Sequence, residues 1–94
     1  MMETDASRLA SIKGAGGVLV RHETSEFWAL FDNDFQAELA DGMVESRGPA
    51  FTARLVDVSE LRKGTPLTID KRTFKITRAE PDESTGFCVL YVAR

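Results

Sequence analysis

The chain has 94 residues, 43% of them apolar, with six Phe, one Trp and one Tyr, which is material for one hydrophobic core and too little for two. Its net charge of −3 argues against tight nonspecific nucleic-acid binding, because proteins that neutralise phosphates carry a basic surplus or a basic face. No apolar run approaches the roughly 18 to 20 residues that cross a bilayer, and residues 1–13 lack the apolar stretch of a secretory signal. The lone Cys88 can form no internal disulfide, which suits a reducing compartment such as the cytosol and a filler role in the core. One domain, residues 1–94, is expected, with no membrane contact.

In chain order, residues 1–17 show no strand alternation and end in Gly14-Ala15-Gly16-Gly17. Arg8, Leu9 and Ile12 fall along one side of a short helix, but three such positions before a glycine cluster make a weak element. Residues 1–16 are therefore expected as a flexible arm, with the β core over 17–94. Val18 and Val20 open a first strand that ends at Arg21 or His22. A second runs from Glu26 to Phe31, and Phe27, Trp28, Leu30 and Phe31 leave its inward face ambiguous. Residues 33–49 mix scattered apolar positions with Asp34, Glu38, Asp41, Gly42, Glu45, Gly48 and Pro49. Structureless connections beyond about 12 to 15 residues are usually functional or disordered, so a long mobile loop is expected at about 33–49. Phe35, Leu39 and Met43 fall at i, i+4 and i+8, so a short amphipathic helix is the alternative. Either form is a natural docking segment.

Beyond Pro49 the pattern sharpens. Phe51, Ala53 and Leu55 alternate with Thr52 and Arg54, the period of a half-buried strand. Val58 to Leu61 reads as a helical turn, and Arg62-Lys63-Gly64-Thr65-Pro66 as a loop. Leu67 and Ile69, then Phe74 and Ile76, read as a hairpin about Asp70-Lys71, a connection without the Asn-Gly or Asp-Gly that best fits positive φ values. Residues 81–86, Pro-Asp-Glu-Ser-Thr-Gly, break the pattern. Phe87 to Val92 follows as a strand buried on both faces. The whole predicts a mostly β domain, a small barrel or sandwich of about six strands.

Chemical sites are weakly signalled. Gly14, Gly16 and Gly17 lack the preceding strand and the Lys-Ser/Thr pair of a phosphate loop, and read as a hinge. His22 and Glu23 are adjacent, so a strand would point them to opposite faces; a solvent or interface histidine is expected. Asp32 and Asp34 have too few oxygen neighbours to hold a hard cation. No G-x-S-x-G elbow accompanies the Ser, His and Asp residues. No catalysis, cofactor or metal is expected. Trp28 divides between core filling and a subunit contact. The basic pairs Arg62-Lys63 and Lys71-Arg72 read as solvated turns or as ion pairs across an interface.

One ordered set of residues carries a family likeness. Val58, Leu61, Arg62, Gly64, Leu67-Thr68-Ile69, Phe74, Arg78, Pro81-Asp82, Gly86, Cys88 and Leu90, with a weaker upstream match at Gly17-Val18 and Phe31-Asp32, resemble the lambda-type phage head-tail joining proteins. The chain departs from them at Arg94, where the lambda-type protein continues into a short basic, proline-containing tail. The resemblance implies a structural neck protein of a tailed phage or prophage, monomeric in solution. On the head connector it would form a ring, expected to be sixfold, with the tail terminator on its other face. Genome DNA would pass through without sequence-specific binding. The protein would be made in the host bacterial cytoplasm and end at the virion neck. A tail terminator or other tail-completion protein is the nearest alternative, and a small β-barrel module binding nucleic acid or peptide the next. Candidate interface residues are Arg8, Leu9, Ile12, Trp28, Asp34, Phe35, Leu39, Met43, Arg62 and Lys63.

Overall fold

A computed structural model describes residues 4–33, 36–38, 44–46 and 48–94. Its first element is α1 (Asp5–Gly14), capped by Thr4, whose hydroxyl oxygen accepts the Ser7 amide at 3.0 Å. Asp5 in the first turn and Lys13 in the last suit the helix dipole. A helix this short is marginal alone in water, and Ile12, only 1% exposed, ties it to the rest of the protein. Gly17 passes so close that a Cβ there would lie 2.7 Å from Ile12 Cγ2. Its amide donates to the Ile12 carbonyl at 2.9 Å. Residues 5–14 of the expected flexible arm are thus a docked helix: a cap and one buried isoleucine suffice, and the glycines only end it.

The strands are β1 (Val18–His22), β2 (Ser25–Asp32), β3 (Gln36–Glu38), β4 (Val44–Ser46) and β5 (Ala50–Arg54), then, after the short helix α2 (Leu55–Val58), β6 (Pro66–Ile69), β7 (Arg72–Asp82) and β8 (Phe87–Ala93). Six of them close a barrel in the order β1-β2-β5-β8-β7-β6. Every pairing in it is antiparallel, and closure leaves no sheet edge along most of its circumference. The seam is narrow, since β6 meets β1 at the single pair Arg21↔Thr68. Inside, Ala29, Ala53 and Cys88 form a row of small residues across three strands, next to the larger row Phe31, Phe51 and Leu90. The rings of Phe31 and Phe51 stand 5.0 Å apart, and Phe74 meets Phe51 edge-on at 5.9 Å, the tilted geometry that aromatic quadrupoles favour. Small beside large residues let the interior fill without voids.

Several boundaries differ from expectation. Leu55 starts α2 rather than ending β5, and the helical turn comes three residues early; Leu61 still packs half-buried on the core. β7 continues through Pro81 and Asp82, so the break narrows to residues 83–86. From Arg78 onward β7 pairs with β8 alone, and an edge accommodates the missing proline N–H. A bulge at Thr77, whose hydroxyl donates to the Tyr91 carbonyl at 3.1 Å, shifts the alternation by one residue. Phe74 and Ile76 point inward before it, while Ala79 lies opposite Leu90 after it. β8 is covered on both sides over Leu90, Tyr91 and Val92. In the 33–49 connection, neither a structureless loop nor a helix describes residues 36–38 and 44–46, which pair as a two-stranded ribbon.

Candidate interaction surfaces

The barrel register defines two ends. β1 and β5 run toward the first, and it gathers the β1–β2 turn, α2 with the loop after it, and the β7–β8 turn. The Asp70-Lys71 turn, the terminal Arg94 and both ends of the 33–49 connection lie at the other.

At the first end, α2 and the β1–β2 hairpin enclose an open groove of about 630 Å³, lined by Phe27, Val56, Leu61, His22 and the carboxylates Glu23, Glu26, Asp57 and Glu60. Val56 is 58% exposed, although its neighbours Leu55 and Val58 on the same turn pack on the core. Asp57 is neutralised by Arg54, which grips it with two nitrogens at 2.8 and 3.0 Å. Glu23, Glu26 and Glu60 make no ion pair or side-chain hydrogen bond among the described residues.

A second, shallower groove beside it is lined by Leu55, Val58, Arg62, Ala79, Pro81 and Cys88. Burial pushes the Cys88 thiol up from its ordinary value, so it stays protonated and inert, as a core filler should. On the nearby turn Asp82 accepts the Ser84 hydroxyl at 2.6 Å and the Ser84 amide at 3.0 Å. The hydroxyl bond chiefly holds this carboxyl below its usual range.

At the opposite end two cations lie over the half-buried Phe31 and the buried Phe74. The Arg72 guanidinium lies 5.4 Å from the Phe31 ring and 5.9 Å from Phe74, and that of Arg94 lies 5.7 Å from Phe74. Two positive charges therefore share one aromatic mouth.

On the outside of the barrel, α1 lies against β2 and β5. Two arginines pin its N-terminal half. Arg8 donates to the Thr85 carbonyl at 2.7 Å and pairs with Asp5 at 3.0 Å; it lies so flat over Gly86 that a Cβ there would touch its guanidinium. Arg54 donates to the Asp5 carbonyl at 3.1 Å while holding Asp57. Near the other end of the helix, the Lys13 ammonium sits 5.0 Å from the Trp28 ring centroid.

Of the residues singled out in the sequence, Arg8, Leu9 and Ile12 therefore come together on α1, with half-buried Trp28 beside its last turn. Arg62 and Lys63 are exposed at the α2 end, apart from that group. Asp34, Phe35, Leu39 and Met43 lie outside the described residues. The sequence reading missed Val56, the open carboxylates and the Arg72–Arg94 mouth. The mouth had a signal in Lys71-Arg72 beside Phe74; the groove had none, being assembled from two distant segments.

This architecture, a small closed antiparallel barrel with an externally docked helix, defines a small β-barrel protein. Comparison with protein families identifies it further. The family model for the phage head-tail attachment protein matches residues 2–92, and the chain belongs to that family. Comparison with curated proteins gave no match. The family is one of structural virion proteins, and membership gives the chain a structural role in joining the phage head to its tail, in contact with components of both at the head-tail junction.

Proposed function

We propose that the chain is made as a monomer in the host cytoplasm and assembles into a ring, expected to be sixfold, on the head connector, where its other face receives the tail terminator. The family match across nearly the whole chain carries this reading. Net charge −3 suits a channel through which DNA passes without sequence-specific contact or adhesion. The N-terminal segment with α1 and the 33–49 connection are the docking segments, and α1 can exchange its polar contacts on the barrel for a partner's.

A joining assay tests this. Purified protein is added to DNA-filled heads that lack the joining subunit, together with finished tails. Tailed, infectious particles are expected; heads that stay tailless although heads and tails are confirmed active would sink the reading.

A further inference from the structure

We propose that the groove between α2 and the β1–β2 hairpin receives the arginine mouth of a neighbouring copy, making the subunit contact of the ring. The proposal rests on the ring reading above and supplies the residues of its contact.

Three observations converge on it. The groove carries an exposed valine rimmed by three carboxylates, Glu23, Glu26 and Glu60, that make no ion pair among the described residues. Arg21 stands across from Glu26 in the β1–β2 register, but Glu23 and Glu60 have no such neighbour, and an apolar spot beside them is well matched to a cationic, partly apolar surface. The opposite end of the barrel presents such a surface. Arg72 lies over the half-buried Phe31, Arg94 lies over the buried Phe74 beside it, and Lys71 and Lys75 are exposed nearby. Asp32 and Asp70 share that end, leaving cations in excess among the side chains described there. The two surfaces lie at opposite ends of a rigid barrel, so no chain can join its own groove to its own mouth. A contact between unlike patches on successive copies is heterologous, the geometry that closes into rings.

Two charge-reversed proteins test the contact. Glu23→Lys/Glu60→Lys gives a cationic groove with a cationic mouth, whereas Arg72→Glu/Arg94→Glu gives an acidic mouth with an acidic groove. Like charges then face one another at every contact, and each protein alone should lose joining by at least about tenfold. Mixed in equal amounts they should recover it, because alternating copies restore attraction at every contact of an even-numbered ring. All four positions are exposed, and unchanged circular dichroism of each variant confirms the fold. Glu23→Gln/Glu60→Gln, which removes charge without adding any, should weaken joining in the same direction. Wild-type joining by either reversed protein alone would overturn the contact, as would a mixture that remains inactive. Failure of the wild-type protein to join would instead overturn the ring reading, so the two failures are distinguishable.

Discussion

The barrel interior and the docked helix α1 are stabilised by different means. The interior is a closed cluster in which Phe51, Phe74, Leu67, Ile76 and Leu90 are almost wholly buried, and each adds to a non-directional apolar sum. α1 contributes one residue, Ile12, to the buried set, and otherwise depends on exposed polar contacts: Arg8 to the Thr85 carbonyl, Arg54 to the Asp5 carbonyl, Lys13 over Trp28. Exposed charge contacts of that kind contribute roughly 0 to 1 kcal/mol each. The barrel should therefore persist as a unit while α1 opens and recloses on its surface at small cost. A joining subunit gains from that difference: a fixed body defines the geometry, and an exchangeable element can trade its own contacts for a partner's.

The largest effect should come from the interior. Phe51→Ala empties the centre of the Phe31–Phe51–Phe74 group and should cost about 3 to 5 kcal/mol, read as a lower urea midpoint for the whole domain. If the midpoint barely moved, the aromatic group would not be what holds the barrel. Ile12→Ala should act differently. Loss of an apolar plug costs about 2 kcal/mol or more, but the loss should fall on α1: amides of residues 8–15 should exchange faster, while those of β5 and β8 keep their protection. Equal loss in both places would show that helix and barrel are one cooperative unit, and would remove the distinction.

Much of this division was legible in the sequence. The apolar pattern located five of the six barrel strands to within a residue or two, because Val18/Val20, Phe51/Ala53 and Leu67/Ile69 must face one core; for β7 it found the Phe74/Ile76 half but not the run on to Asp82. It failed at Leu55, where an inward position at the end of a strand and one on a helical turn present the same apolar spacing. Pro81 misled as a turn signal because a strand edge tolerates it. α1 was undervalued for a physical reason: propensity counts apolar positions, whereas one isoleucine filling one socket is decided by tertiary packing. The groove was not legible, since His22 to Phe27 and Val56 to Leu61 meet only once the barrel closes.

A smaller effect of opposite sign should come from the β1–β2 turn. Glu23 has φ +54°, a left-handed conformation that costs a residue with a side chain roughly 1 kcal/mol. Glu23→Gly should relieve it and raise barrel stability by up to about 1 kcal/mol, seen as a modest rise in melting temperature, with α1 exchange unchanged. Destabilisation would mean that the glutamate side chain itself supports the hairpin.

The smallest effect tests whether α1 can be loosened without touching the interior. Asp82 organises the β7–β8 turn by accepting the Ser84 hydroxyl and amide, and that turn presents the Thr85 carbonyl to Arg8. Its carboxyl is held below the ordinary value of 3.8, first by the Ser84 hydroxyl. A depressed folded value means that the charged form is the one the fold favours. The contribution is therefore complete above the unfolded carboxyl's value and disappears as pH falls through the lower folded one. Because this carboxylate is fully exposed, the change in global stability should be slight. The Ile12 methyl resonance should nevertheless shift in acid, as the turn loosens and α1 lifts, before the Phe51 ring resonances respond. Asp82→Asn removes that titration and should abolish the early Ile12 shift. Ser84→Ala should move the midpoint toward the ordinary carboxylate value. Simultaneous shifts of the Ile12 and Phe51 signals would mean that acid acts on the barrel as a whole, with the turn adding nothing to the hold on α1.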